Sequence, residues 1–262
     1  MNLVLWIGDE PNQVALANKL AGQFDIAGIV IEHKVPKRKL TLKKIAEKLF
    51  ERLFLFEIDK AWFGMQAFYK TKYPQLPMAN IITVKNINSD EVYKFSKSIN
   101  PDLIIVSGTR LIKNKMLSVE SKKGILNLHT GLSPYIKGGP NCTNWCIATK
   151  QYQYIGNTIM WIDKGIDSGN ILTSETIDVF PAKNLLEIHI KVMEHAHRLY
   201  LKAIKYLASG KTQSIKQSDI AQGITYYTRD WTLNQKFKLI RNFRKDKNYI
   251  PKKIKIRTIY LN

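Results

Sequence analysis

Cysteine is almost missing from this chain: Cys142 and Cys146 are the only two in 262 residues. A pair with three residues between them fits neither the common zinc spacings nor a C-x-x-C redox motif. Two thiols also build no disulfide framework, so free thiols are expected. Long apolar runs are missing too, since no window approaches the ~18 residues of a membrane span. The N-terminus, Met-Asn-Leu-Val-Leu-Trp-Ile-Gly, lacks the basic start and small-residue cleavage site of an export signal, so the expected location is the cytoplasm, with no membrane partner. Glycine is scarce where a dinucleotide site would need it. The first strand-to-helix turn, Gly8-Asp-Glu-Pro-Asn12, has one glycine in place of G-x-G-x-x-G, which argues against an NAD-type pyrophosphate site. Acidic residues are few, 21 against 41 Lys and Arg, for a net charge of +20. That excess turns the search for partners toward anions, with a discount because richness in Lys, Ile, Asn and Tyr is what an AT-biased genome writes into any protein.

What is present reads as an α/β protein. Residues 2–7 are apolar and end at Gly8, Pro11 to Phe24 carries Val14, Leu16, Ala17, Leu20 and Ala21 at helical spacing, and Ile26 to Ile31 is a second apolar run. Strand, helix, strand in that order opens a Rossmann-like, doubly wound and mainly parallel sheet. Lys34 to Lys44 is basic and follows the second strand, where open α/β sheets bind ligands; Lys34 and Lys37 are therefore candidates to grip a phosphate, against the plainer reading of a solvated loop. Residues 43–70 read as helical, with so many apolar side chains that a core role is expected for Phe50, Phe54, Phe56, Trp62, Phe63 and Phe68 rather than a base-stacking platform. Ile81 to Val84 and Pro101 to Gly108 are further strands, with a helix from Ser89 to Ile99 between them. A capping box at Asn184 and Glu187 starts a long amphipathic helix closed by Gly210. Its His189, His195 and His197 point in different directions and complete no zinc tetrahedron with the cysteines, so no metal is expected. These signals divide the chain into residues 1–210 and a small basic C-terminal extension, 211–262, whose last stretch from Arg229 carries eleven cations against two acids.

The chemistry centres on Gly124-Ile-Leu-Asn-Leu-His-Thr-Gly-Leu-Ser-Pro-Tyr-Ile-Lys-Gly138. In an extended chain residues two apart share a face, so Asn127 and His129 converge on one pocket. Downstream, Asp163-Lys-Gly-Ile-Asp-Ser-Gly169 is a glycine-bounded turn between two strands, able to aim one carboxylate inward. An amide to hold an oxyanion, an imidazole to move a proton and a carboxylate to orient it suit attack of an amine on a carbonyl.

These motifs resemble the formyltetrahydrofolate-dependent formyltransferases. The resemblance rests on Pro101-Asp-Leu-Ile-Ile-Val-Ser-Gly108, on Gly124 to Pro140, and on Ile155-Gly-Asn-Thr-Ile-Met-Trp-Ile-Asp-Lys-Gly-Ile-Asp-Ser-Gly-Asn-Ile-Leu172, and covers residues 95 to 180. It implies Asn127, His129 and Asp167 as catalytic residues, with 10-formyltetrahydrofolate as cosubstrate. It also implies a folate site along Ser107, Gly108, Thr109, Arg110, Leu111 and Ile112 and the turn before Asp167, and a cis Ser133–Pro134 peptide.

The acceptor amine is read from finer detail. His-Thr-Gly-Leu-Ser-Pro-Tyr and Pro-Asn-Cys-Thr-Asn-Trp look like the nucleotide-sugar N-formyltransferases, whereas the purine and tRNA enzymes carry His-Pro-Ser-Leu-Leu-Pro or its like. Past Gly210 about fifty residues follow, too few for the C-terminal barrel of roughly a hundred residues that the tRNA enzymes add. The expected acceptor is therefore a 4-amino-4,6-dideoxy sugar on dTDP, or less readily GDP, for O-antigen or other surface polysaccharide, with Tyr135, Lys137 and Tyr227 as further substrate contacts. The alternative is charged initiator tRNA, which the basic tail favours; a non-catalytic RNA-binding module would leave the Asn127, His129, Asp167 trio without a purpose. A homodimer is compatible with the extension.

Overall fold

A computed structural model describes residues 1–34, 41–248 and 256–261. Seven strands form one sheet in the order β3-β2-β1-β4-β5-β7-β8. The first five to be named, β1 (Asn2–Gly8), β2 (Asp25–Glu32), β3 (Asn80–Val84), β4 (Leu103–Ser107) and β5 (Ile125–His129), run parallel, and β7 (Gly156–Trp161) and β8 (Ile171–Thr176) turn antiparallel at the β5 edge. Strand alternation explains the two-sided core. Leu3, Leu5 and Ile7 of β1 pack with Leu103, Ile105, Leu126 and Leu128 on one face, while Val4, Trp6, Ile104, Val106 and Ile125 belong to a second cluster on the other.

Helices α1 (Pro11–Ala21), α3 (Phe56–Lys72) and α7 (Leu185–Ala208) cover the first face, contributing Leu16, Leu20, Met65, Tyr69, Leu199, Tyr200 and Ile204. Val92 of α4 (Asp90–Ile99) and Met116 of the short α5 (Asn114–Leu117) cover the second. Half of the capping box holds as read: Glu187 N donates to Asn184 Oδ1 at 2.8 Å, while the Glu187 carboxylate accepts from Lys183 N, one residue before the cap, at 2.8 Å. Ser89 stands at the start of α4 but its side chain makes no capping bond.

One expectation fails. The apolar residues of 43–70 are not all core, because the segment is two helices, α2 (Leu42–Phe54) and α3, broken at the buried Leu55. Only Ala61, Met65 and Tyr69 of α3 reach the interior; Phe50, Phe54, Phe56, Trp62, Phe63 and Phe68 are exposed. A helix can bury one stripe against a sheet, and this segment has more apolar residues than one stripe holds.

Beyond α7, residues 211–248 fold back onto the body. Ile215 bridges Ile171 of β8, and β9 (Ile224–Tyr226) pairs in parallel with β6 (Ile136–Gly138). Helix α8 (Leu233–Asp246) packs Leu239, Ile240 and Phe243 with Cys146 and Ile147 of α6 (Cys142–Ala148). No helix among the described residues is long and apolar enough to cross a membrane.

Candidate active site

Asn127 and His129 sit at the carboxyl end of β5, the last parallel strand before the sheet reverses. Ligands of open α/β sheets gather at such ends, where the crossover directions change. The loop that leaves β5 is fastened to the neighbouring strand by Thr158, whose Oγ1 donates to Gly131 O at 2.8 Å and accepts from Ser133 N at 2.9 Å. The Ser133–Pro134 bond is cis. A Cβ on Gly131 would lie 2.3 Å from His129 Nε2, so a hydrogen is all that fits there.

Asp167 closes the trio from the turn between β7 and β8. It has a left-handed backbone, φ +47°, uncommon for a residue with a side chain and a strain that surrounding structure has to hold. Gln217 holds it: its Nε2 donates to the carbonyls of Asp167 at 2.7 Å and Gly169 at 2.8 Å. The Asp167 carboxylate then meets three groups. His129 Nδ1 is 3.3 Å from Oδ2, Gly138 N donates to Oδ2 at 3.1 Å, and Asn127 Nδ2 donates to Oδ1 at 3.4 Å. Gly138 has φ +84°, and a Cβ there would lie 2.1 Å from Tyr226 O, so the β6–β9 pairing and the amide offered to Asp167 both depend on glycine.

The other nitrogen of His129 faces inward. Nε2 is 3.3 Å from Ile136 O and 3.5 Å from Cys142 Sγ. Burial pushes the imidazolium down, but the Asp167 carboxylate, aided by the Cys142 sulfur and the Ile136 carbonyl, more than offsets this and raises His129 to about 10. Burial raises the Cys142 thiol. At neutral pH the ring is thus a cation with Nε2 against Ile136 O and Nδ1 ion-paired with Asp167, and Asn127 keeps a second amide N–H for a ligand.

Two cavities open here. The larger, about 530 Å³, is lined by Asn127, His129 and Asp167, by Gly108, Thr109, Arg110, Leu111 and Ile112, by the turn from Asp163 to Gly169, and by Tyr226, Tyr227 and Thr228. The smaller, about 340 Å³, is lined by Glu10, Asn12, Gln13, Lys34, Ser107, Trp62 and His189 among others. Gly108, Leu128, Thr130 and Pro140 line both. Glu10 Oε2, Asn12 Oδ1 and Gln13 Oε1 are buried with no hydrogen-bond partner among the described residues. Among those residues no group of three or more His, Cys, Asp or Glu could hold a metal ion.

Most of the residues singled out from sequence converge. Thr109 to Ile112, Gly108 and Tyr227 border the larger cavity, while Ser107 and Lys34 border the smaller; Lys34 Nζ also bonds Gly108 O. Tyr135 and Lys137 border neither. Along β6 it is Gly138 that faces the cavity and Ile136 that is buried, so the intervening Lys137 points to the opposite side. Tyr135 stacks on Tyr154 at 4.8 Å and donates to Arg257 O at 3.1 Å. Lys37 lies outside the described residues. Sequence reasoning missed Glu32, Gln217 and Cys142. Each acts on a partner it meets only in three dimensions, and the one local hint was the Glu32 carboxylate directly after the apolar run of residues 26–31.

The family model for formyl transferase matches residues 10–204. The chain belongs to this formyl transferase family. A methionyl-tRNA formyltransferase of Clostridium botulinum is 34% identical over 139 residues, 53% of this chain and 43% of that enzyme. The chain thus spans about half the length of the curated relatives it matches. Among solved structures, the N-formyltransferase of Helicobacter canadensis in complex with folinic acid and dTDP-3-aminofucose superposes with a TM-score of 0.59 at 17% identity, covering 93% of this chain and 81% of that one. A 4-N formyltransferase of Francisella tularensis gives 0.58 at 18%, covering 92% and 87%. At that identity the match speaks for a shared fold.

Proposed function

We propose that this formyl transferase moves the formyl group of 10-formyltetrahydrofolate to the amine of a nucleotide-linked 4-amino-4,6-dideoxy sugar, with dTDP as the carrier. The observation that carries the choice of acceptor is the smaller cavity. Three unpartnered acceptor oxygens, on Glu10, Asn12 and Gln13, ask for a ligand rich in hydroxyl and amino donors, and Lys34 beside them suits a diphosphate. The larger cavity fits the folate: its volume is in the range of small-molecule sites, and one wall is the loop and turn whose backbone groups can hold a pteridine. When bound there, the folate supplies the formyl carbon.

The residues of the chain then divide the work. Asn127 donates its free amide N–H to the oxyanion that develops on the formyl oxygen, and the His129 imidazolium stabilises the same charge. Asp167 keeps the imidazole charged and oriented, accepts the proton that the attacking amine gives up, directly or through water, and returns it to the folate nitrogen as the old C–N bond breaks, so that tetrahydrofolate leaves. A neutral amine is the nucleophile, and no side chain is required to form a covalent bond.

A tRNA acceptor is the second reading, favoured by the likeness to the methionyl-tRNA formyltransferase of Clostridium botulinum and by the net charge of +20. The deciding experiment incubates the protein and 10-formyltetrahydrofolate with dTDP- and GDP-linked amino sugars beside charged initiator tRNA, and follows the mass increment of one formyl group. Formylation of a dTDP-linked 4-amino sugar is expected; formylation of the tRNA alone refutes the proposal.

A further inference from the structure

Helix α2 is largely exposed, and none of its described side chains is buried. Leu42, Ile45, Leu49 and Leu53 recur at three- and four-residue intervals, so they form one stripe along the helix. Leu49 is 59% exposed and Leu53 63% exposed, and Phe50 and Phe54, which pack against each other at 4.7 Å, widen the stripe on one side. Phe56, at the start of α3, continues it and is 49% exposed. An apolar surface this continuous is a contact site rather than scatter.

Charge tells what covers it. From Lys34 to Arg52 the sequence holds eight cations and two acids, Glu47 and Glu51. By helical rotation Lys48 and Arg52 lie along one margin of the stripe, and the two acids lie on the opposite side of the helix. Glu51 is turned inward, where Lys236 of α8 pairs with it at 2.6 Å; Glu57 of α3 is likewise taken up by Arg244. Of the two acids of α2, Glu51 is therefore taken up by α8 and Glu47 lies away from the stripe, and what α2 presents outward is an apolar stripe edged by cations. Phe237, next to Lys236 on α8, adds another exposed ring, at 55%.

We propose that α2 docks the enzyme on an anionic lipid bilayer, lying in the interface with Leu49, Leu53, Phe50 and Phe54 among the acyl chains and Lys48 and Arg52 among the headgroups. An apolar stripe beside a cationic margin is the composition of a helix that lies in a membrane surface. A second copy suits it less, because two-fold pairing of α2 with itself sets the cations of the stripe's margin side by side, while Glu51 is held by α8 and Glu47 lies on the opposite side of the helix. Nucleic acid has no use for the aliphatic side chains. This inference is independent of the acceptor assignment, since docking is read without turnover.

The test sediments the full chain with phosphatidylcholine vesicles, with and without phosphatidylglycerol, and compares a Leu49→Glu/Leu53→Glu variant and a Lys48→Glu/Arg52→Glu variant; circular dichroism checks their folding. The expected result is binding to the phosphatidylglycerol vesicles alone, weakened roughly tenfold or more by either pair of substitutions and by added salt. No sedimentation, equal sedimentation with neutral vesicles, or wild-type binding by the Leu49→Glu/Leu53→Glu variant overturns it. So does a dimer in size-exclusion chromatography that those leucine substitutions dissolve without any vesicle binding, which assigns the stripe to a second copy.

Discussion

Asp167 serves three groups from one strained position, so its removal should act on chemistry more than on folding. For Asp167→Asn we expect kcat to fall by about 10²–10⁴ with the fold retained, measured by initial rates and circular dichroism; turnover near wild type counts against the assignment. His129 gives a pH signature. Its raised pKa means the charged ring is favoured in the folded state, so the ion pair's contribution to stability is complete below about pH 6.5 and is lost as pH climbs toward about 10. The difference in urea unfolding free energy between wild type and His129→Ala should therefore shrink between these limits, and a difference that grows instead refutes it. Glu32 is wholly buried and accepts from Arg110 N at 2.7 Å, Arg110 Nη1 at 2.9 Å and Ile87 N at 2.9 Å, which pins the loop bordering the larger cavity. Glu32→Ala should raise KM for the formyl-folate about tenfold or more while changing kcat far less. The reverse pattern would move Glu32 out of the loop's support.

At the scale of elements, β4 and β5 are joined near the site by a side chain from α7. The hydroxyl of Tyr200 accepts from Val106 N at 3.2 Å and donates to Leu126 O at 2.5 Å, one residue before Asn127. Tyr200→Phe leaves both buried backbone groups without that partner and should cost about 1–3 kcal/mol, lowering Tm by several degrees in calorimetry. An unchanged Tm excludes the strut. Here too lies the boundary of what the sequence made legible. Strands β1, β2, β4 and β5, the capped α7 and the shared face of Asn127 and His129 were readable because period, capping and spacing are local, and Asp167 was readable only through the motif it shares with the family it resembles. Tyr200, Gln217 and Glu32 were not, since a buried polar side chain shows its purpose only beside partners 48 to 94 positions away. The exposed rings of α2 and α3 misled for the opposite reason: composition marks a residue as apolar without saying what will cover it.

For the whole molecule, net charge is the ambiguous quantity. Internal ion pairs, as at Lys236–Glu51 and Arg244–Glu57, take up cations and acids one for one and leave the net charge of +20 unchanged. If the acceptor is a sugar nucleotide, the slope of log KM against log salt for the acceptor should be shallow, about that of a ligand with two phosphates; a slope near that of six or more contacts would indicate a polynucleotide.

The wall common to both cavities, Gly108, Leu128, Thr130 and Pro140, sets a kinetic order of events. On the proposed assignment donor and acceptor meet across these shared residues, with the trio on the donor side and the formyl group passing directly from one to the other, without a covalent stop on a side chain. Neither half-reaction can run by itself. Both substrates must be aboard together, so double-reciprocal plots at several fixed donor concentrations should intersect, where a ping-pong enzyme would give parallel lines.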